Sequence, residues 1–154
     1  MAAGNERSDA SREIVVTRVF DAPPEVVFDA WTDRNAIATW WGPNGFTTTT
    51  YDMDVRPGGV WRFMMHGPDG TDYPNRIAYH EVEKPRRLAY THGGDEGVNF
   101  EVVVTFEAEG EKTRITMRSL FATAEERDKV VTDFGAIEGA NQTLNRLAEH
   151  LAKK

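Results

Sequence analysis

Three side chains that could act as acids, bases or hydrogen-bond partners lie in two predicted strands. Tyr79 and Glu81 are two residues apart in the segment 72–83, so the alternation of a strand places them on one face. His92 ends the segment 87–92. A tyrosine and a carboxylate that both point inward could orient a ligand or act as acid and base. The alternation does not decide which face points inward, and the alternatives are a surface ion pair for Glu81 and an exposed strand end for His92.

A second group of candidate residues is large and apolar. Trp40 and Trp41 end a predicted helix directly before Gly42-Pro43, a sequence that ends helices. On the next two strands, alternation places these side chains on one face: Tyr51, Met53, Trp61, Phe63 and Met65. All of these residues either fill an ordinary core or line a pocket for a flat or oily ligand, because binding pockets are rich in aromatic side chains. Asn141 lies beside the apolar stripe of the last helix, either as a satisfied buried amide or as a hydrogen-bond partner of a ligand.

The remaining signatures of cofactor or metal chemistry are missing from the sequence. His66, His80 and His92 lie on three different predicted strands and His150 on a helix, without the local spacing of a metal motif such as HExxH. The chain has no cysteine, and it has no GxSxG, P-loop or GxGxxG motif. We therefore expect neither a metal nor a cofactor.

The elements that must position these residues follow from periodicity and from glycine and proline. Alternating or β-branched segments predict strands over 13–20, 46–55, 60–66, 72–83, 87–92, 99–109 and 113–121. Helices are predicted from Pro24, from Arg34 and from the capping box Thr123–Glu126, and an apolar stripe with helical spacing runs from Ile137 to Leu151. A curved antiparallel sheet with one amphipathic helix across it is the simplest packing of these elements.

Composition limits the class of protein. A chain of 154 residues is typical of one domain, here 13–154, after a polar tail over 1–12 that we expect to be disordered. The net charge of -7 disfavours binding to nucleic acid. No apolar run reaches the about 20 residues of a membrane span, and no signal peptide is visible. These features and the absence of cysteine predict a cytoplasmic protein that does not bind membranes.

Six stretches resemble the SRPBCC superfamily, also called START-like or Bet v 1-like. They are RVFDAPPEVVFDAWTD, WWGPNGFT, DVRPGGVWRFMMHGPDG, VEKPRRLAYT, FEVVVTFE and GANQTLNRLAEHL. In order and spacing they are similar to the branch named after the Hsp90 ATPase activator (AHSA1-like). The resemblance implies an α+β helix-grip fold: a curved antiparallel β-sheet wrapped around a long C-terminal helix, with two short helices after the first strand and a cavity between sheet and helix.

The resemblance is compatible with several functions. We expect a small-molecule binding protein that holds a hydrophobic or aromatic ligand in this cavity. One alternative is an enzyme of the cyclase, hydrolase or lyase type that uses polar cavity residues. Another is a protein-interaction domain, although a chaperone activator should have a further N-terminal domain and about a dozen polar residues precede this fold. The edge strands of an open sheet need protection, which a homodimer would give, and the sequence does not decide whether one forms.

Overall fold

The computed structural model describes residues 12–94, 100–134 and 136–152 of the chain. Its strands are β1 (Glu13–Phe20), β2 (Thr47–Met53), β3 (Val60–His66), β4 (Asp72–Glu83), β5 (Arg87–Gly94), β6 (Phe100–Glu109) and β7 (Lys112–Leu120). Its helices are α1 (Pro24–Thr32), α2 (Arg34–Trp40), α3 (Ala124–Phe134) and α4 (Ala136–Ala152). The predicted tail over 1–12 falls outside the described residues except for its last one, and so does most of a turn predicted over 93–97.

The seven strands form one antiparallel sheet in the order β1-β7-β6-β5-β4-β3-β2. The first strand therefore pairs with the last one, and β1 and β2 are the two edges of an open, curved sheet. The long helix α4 contributes Leu144 and Leu147, both almost without exposed surface, to the core beneath the sheet. The predicted α+β helix-grip fold is confirmed.

The helices begin where the sequence provides suitable end groups. Pro24 is the first residue of α1, where the missing N–H of proline costs no hydrogen bond. The Asp33 carboxylate accepts a hydrogen bond from the backbone N–H of Ala36 at 2.8 Å and so caps α2. The Thr123 hydroxyl accepts one from the backbone N–H of Glu126 at 3.1 Å, as the predicted capping box requires. The Asp33 cap therefore starts the short helix that ends at Trp40.

Two β-bulges change which side chains point inward. The pairing register shifts between Thr50 and Asp52 in β2 and between Tyr79 and Glu81 in β4. A bulge inserts one extra residue, so side chains before and after it no longer follow one alternation. Tyr79 is buried whereas Glu81 is exposed, and the prediction that they share a face is wrong. For the same reason Tyr51, predicted on the face of Met53, is 57% exposed.

Candidate functional site

Four indoles meet at one end of the core, and we call Trp31, Trp40, Trp41 and Trp61 the tryptophan cluster. The ring centroids are 5.0 Å apart for Trp31 and Trp40, 5.7 Å for Trp40 and Trp41, and 5.3 Å for Trp41 and Trp61. Each pair meets edge to face, the arrangement that the charge distribution of aromatic rings favours. α1, α2 and β3 each contribute to the cluster, which joins the short helices to the sheet.

Most of the tryptophan cluster is sealed. Trp40 and Trp61 have no exposed surface, and Trp41 keeps 7%. The indole N–H of Trp40 donates to the carbonyl oxygen of Ala30 at 3.1 Å, and that of Trp61 donates to Oγ1 of Thr50 at 3.1 Å. Because their rings are packed and their polar atoms are satisfied, Trp40 and Trp61 fill the core in this conformation.

Arg146 of α4 fixes the turn that follows the tryptophan pair. Its Nη1 donates to the carbonyl oxygens of Gly42 at 2.9 Å and Pro43 at 3.0 Å, and its Nη2 donates to that of Thr39 at 3.3 Å. Carbonyls at a helix C-terminus lack partners within the helix and attract a cation. No sequence pattern indicates this role, because an arginine beside an apolar stripe is ordinary on a helix surface.

Gly42 allows the chain to reverse directly after Trp41. Its φ of +103° is one that residues with a side chain rarely adopt, and an added Cβ would lie 3.0 Å from Cε of Met65. Besides its contacts with Arg146, the turn makes another contact with α4, because the backbone N–H of Asn44 donates to Oε1 of Gln142 at 3.1 Å. The sharp turn thus anchors the two indoles against α4.

A second aromatic group surrounds a histidine, and we call Phe63, Asn75, His92 and Phe100 the histidine site. The centroid of the His92 ring lies 5.0 Å from that of Phe100, 6.0 Å from that of Phe63 and 6.2 Å from that of Trp41. Nε2 of His92 lies 2.9 Å from Oδ1 of Asn75. β3, β4, β5 and β6 all contribute, and each of these strands neighbours the next.

The histidine site combines strong desolvation with partial access. Burial lowers the pKa of His92 to about 4, from an ordinary value of 6.5, so the imidazole is neutral at pH 7. The residue nevertheless remains partly exposed. Among the described residues the imidazole has its hydrogen bond to Asn75 and no other, which leaves Nδ1 without a protein partner. The histidine site therefore presents one hydrogen-bonding atom, Nδ1 of His92, among aromatic rings.

The predicted pairing of Tyr79 with Glu81 is not formed. Tyr79 is 3% exposed and lies directly opposite the equally buried Tyr90. Burial raises the pKa of both phenols, so both stay protonated at neutral pH. Glu81 lies on the outer side of the sheet, 3.2 Å from Nη2 of Arg87, as the alternative of a surface ion pair requires. Tyr79 and Glu81 therefore do not form the predicted acid–base pair.

The other residues that were predicted to contact a ligand lie either in the core or on the surface. Phe63 is 1% exposed, and Met53 and Met65 are partly buried against the core. Asn141 is exposed on α4, so the prediction that its amide lies inside or faces a ligand is wrong for this conformation. Its position at the margin of the apolar stripe, rather than within it, explains the difference.

A chain of hydrogen bonds that the sequence did not indicate joins three strands at the β2 edge. Nδ1 of His66 lies 2.7 Å from Oδ1 of Asp72, and Nε2 lies 2.8 Å from Oγ1 of Thr49. An aspartate holds a histidine, which in turn reaches a hydroxyl, as in the triads of hydrolases. The His66 side chain is 36% exposed and that of Asp72 58%.

A cleft of about 200 Å³ opens beyond Phe100. Its wall includes the stacked rings of Phe100 and Phe121, whose centroids are 4.7 Å apart. The complete lining is Arg12, Thr91, Phe100, Glu101, Leu120, Phe121 and Ala122, none of which belongs to α4. The cleft therefore touches the histidine site through Phe100 and lies outside the predicted space between sheet and helix.

The described parts of the chain have neither a metal-binding group of side chains nor a membrane-spanning helix. No group of three or more histidine, aspartate or glutamate side chains there could hold a metal ion. In the same residues no helix is long and apolar enough to cross a membrane.

The fold and the aromatic core together define a helix-grip protein of the α+β class. Residues 21–152 match the family described as activator of Hsp90 ATPase homolog 1-like protein (AHSA1), and the chain belongs to that family. No curated protein matches the chain in sequence.

Solved structures share the fold over almost the whole chain. A protein from Arthrobacter aurescens has a TM-score of 0.88 at 25% identity, over 94% of this chain and 88% of that one. A protein from Nitrosomonas europaea has a TM-score of 0.85 at 25% identity, over 94% and 97%. One from Mycobacterium smegmatis has a TM-score of 0.82 at 28% identity, over 91% and 90%.

Proposed function

We propose that this protein binds a small aromatic or otherwise hydrophobic molecule against the histidine site, between the sheet and α4. One observation supports the proposal above all others. His92 is partly accessible and surrounded by aromatic rings, and its Nδ1 has no hydrogen-bond partner among the described residues. We retain the cytoplasm as the location of this activity, because a chain without cysteine suits a reducing compartment.

Buried polar atoms in proteins are normally hydrogen-bonded, because an unpaired one keeps the cost of its desolvation. The indoles of Trp40 and Trp61 follow this rule. Nε2 of His92 is paired with Asn75, whereas Nδ1 has no partner among the described residues and keeps accessible surface at which a ligand could replace water. Ligand sites typically combine an aromatic lining with a few polar atoms that fix orientation, and the histidine site has this composition.

The first experiment is native mass spectrometry of freshly purified protein, followed by denaturing extraction and analysis of small molecules. We expect an added mass on the folded protein and an aromatic compound in the extract. If the purified protein is empty, ligand-observed NMR with indole as the probe tests whether the site accepts an aromatic molecule. Absence of both a co-purified compound and indole binding at millimolar concentration contradicts the proposal.

Two matched variants locate the binding site. His92→Trp fills the histidine site with a larger ring and should abolish the added mass or the indole signal. His80→Trp places the same ring on the exposed outer face of β4, where His80 contacts Thr91, and should leave binding unchanged. Equal loss in both variants would show that binding does not depend on the histidine site.

The hydrogen-bonded chain of Thr49, His66 and Asp72 favours a second candidate, a hydrolase. In that reaction Oγ1 of Thr49 attacks the carbonyl carbon of an ester, Nε2 of His66 takes the hydroxyl proton and returns it to the leaving alcohol, and water then releases the acid. Asp72 holds the proton of Nδ1 and so keeps Nε2 free to accept.

Hydrolysis of an activated aryl ester tests this second candidate. His66→Ala and Thr49→Val should each abolish turnover, and the exposed His80→Ala should not. A wild-type rate equal to that of His66→Ala excludes the hydrolase.

A further inference from the structure

The orientation of the Asn75 amide follows from its two hydrogen bonds. Nδ2 of Asn75 donates to the backbone carbonyl oxygen of Tyr73 at 3.0 Å. A carbonyl oxygen accepts and never donates, so the NH₂ group of the amide must face Tyr73. The amide oxygen Oδ1 is then the atom that lies 2.9 Å from Nε2 of His92.

This orientation decides the tautomer of His92. Oδ1 of Asn75 is an acceptor, so Nε2 of His92 must carry a hydrogen atom. A neutral imidazole has one N–H group, and its other nitrogen presents a lone pair. Nδ1 is therefore a hydrogen-bond acceptor. Burial lowers the pKa of His92 and so keeps the ring in this neutral form at pH 7.

The neighbours of His92 determine what else a ligand would meet. The rings nearest to the imidazole belong to Phe63, Phe100 and Trp41, and none of them carries a charge. A charged ligand would lose its hydration there without a partner of opposite charge among these rings. Phe63 and Trp41 are almost completely buried, so the ring that an uncharged aromatic ligand would meet beside the imidazole is that of the partly exposed Phe100, and this contact would replace water at little cost.

We infer that the histidine site selects uncharged aromatic ligands that carry an N–H or O–H group, which donates to Nδ1 of His92. This inference rests on the proposed function and adds the chemical class of the ligand. A hydroxyaromatic or indole-like compound fits this class, whereas the corresponding ether or carbocycle lacks the donor. Asn75 acts as a positioning residue, because it fixes which nitrogen of His92 accepts.

The tautomer can be measured directly on the folded protein. Nitrogen-15 NMR of the imidazole distinguishes the protonated nitrogen from the one with a lone pair. At pH 7 we expect His92 to be neutral with its hydrogen on Nε2. A hydrogen on Nδ1, or a charged ring, overturns the inference without any ligand being present.

Ligand selectivity is tested with two probes of the same shape, indole and benzofuran, which has an oxygen where indole has its N–H group. Indole should bind the wild-type protein roughly tenfold more tightly, the ratio that one additional hydrogen bond to an otherwise unpaired acceptor gives. His92→Phe keeps an aromatic ring, removes the acceptor and should bring the ratio close to one. His80→Phe, on the outer face, is the matched control and should keep the wild-type ratio.

The outcomes separate the two proposals. Equal affinity of wild-type protein for both probes overturns the selectivity while the proposed binding function stands. Binding of neither probe overturns the proposed function and this inference together. If His92→Phe fails to fold, the wild-type ratio and the NMR assignment still decide the inference. Asn75→Leu adds a graded test, since loss of the positioning amide should lower the indole preference without removing the binding of benzofuran.

Discussion

The tryptophan cluster and the histidine site lie side by side in one core and differ in how their polar atoms are satisfied. The indole N–H groups of Trp40 and Trp61 each reach a protein oxygen at 3.1 Å. Nδ1 of His92 reaches none among the described residues. Trp41 borders both groups, with its ring 5.3 Å from that of Trp61 and 6.2 Å from that of His92.

This difference distinguishes the tryptophan cluster, which is a packed part of the core, from the histidine site, which is a candidate binding site. Aromatic side chains alone do not identify a binding site, because the most aromatic part of this core is itself almost completely buried. An unpaired polar atom that stays accessible within an aromatic surface is the more specific sign, because it can form a hydrogen bond with a ligand. The two regions should therefore respond differently to mutation, pH and ligands.

The largest effect is expected in the tryptophan cluster. Trp40→Ala removes a fully buried indole and leaves the carbonyl of Ala30 without its donor. We expect a loss of about 3–5 kcal/mol in the free energy of unfolding, measured by chemical denaturation. The control Tyr51→Ala removes an aromatic ring that is 57% exposed, and should cost much less. Similar losses in the two variants would contradict the assignment of the tryptophan cluster as core.

The next effect is a pH dependence that originates in the histidine site. In the unfolded chain His92 has its ordinary pKa of 6.5, and in the folded protein burial lowers this pKa to about 4. Between these values the unfolded chain binds the proton more tightly, so acid favours unfolding. The stability that depends on neutral His92 is complete above pH 6.5 and is lost as the pH falls towards 4.

From about pH 7.5 to about pH 4.5 this loss should amount to about 2 kcal/mol in the free energy of unfolding. Carboxylates also titrate in this range, so the quantity to measure is the difference between wild type and His92→Phe. Parallel pH profiles for the two proteins would show that the imidazole is no more desolvated in the folded state than in the unfolded one.

A smaller effect is expected at Arg146, which ties the turn after Trp41 to α4. Arg146→Met keeps most of the aliphatic length and removes the donors to the carbonyls of Gly42 and Pro43. We expect a loss of about 1 kcal/mol in the free energy of unfolding, the net value of ordinary hydrogen bonds at a partly exposed site. The Trp41 indole should also gain mobility, visible as a change in its NMR line.

Arg114→Met is the matched control for Arg146, because Arg114 is an exposed arginine that pairs with Glu109 on the sheet. It should leave both stability and the Trp41 signal nearly unchanged. An unchanged Trp41 signal in Arg146→Met would mean that packing alone fixes this indole.

Most of the fold could be predicted because its signals are local. Glycine and proline mark the turns, and alternation marks the strands to within one or two residues of their observed ends. The two bulges could not be predicted, since an extra residue leaves no mark in a pattern of apolar and polar side chains. The errors at Tyr51 and Glu81 both come from this cause.

The candidate site was predicted only in part, because hydrogen-bond partners on different strands depend on register. His92 was singled out as a polar group on the correct strand, but Asn75 was not assigned as its partner. The register that brings β4 beside β5 decides this pairing, and that register depends in turn on the bulge. Asn141 was misplaced because a helix has a gradual boundary between its buried and exposed sides.

The pairing of β1 with β7 has a consequence for the protein during its synthesis. β1 is made before the other six strands, and its partner strand β7 is made only after five of them. Until then the apolar side chains Ile14, Val16 and Phe20 have no sheet to join. The nascent chain must therefore carry an unpaired, aggregation-prone strand until the rest of the sheet has been made, a stage at which chaperones usually bind. Closure of the sheet is accordingly a late, long-range step that slows folding.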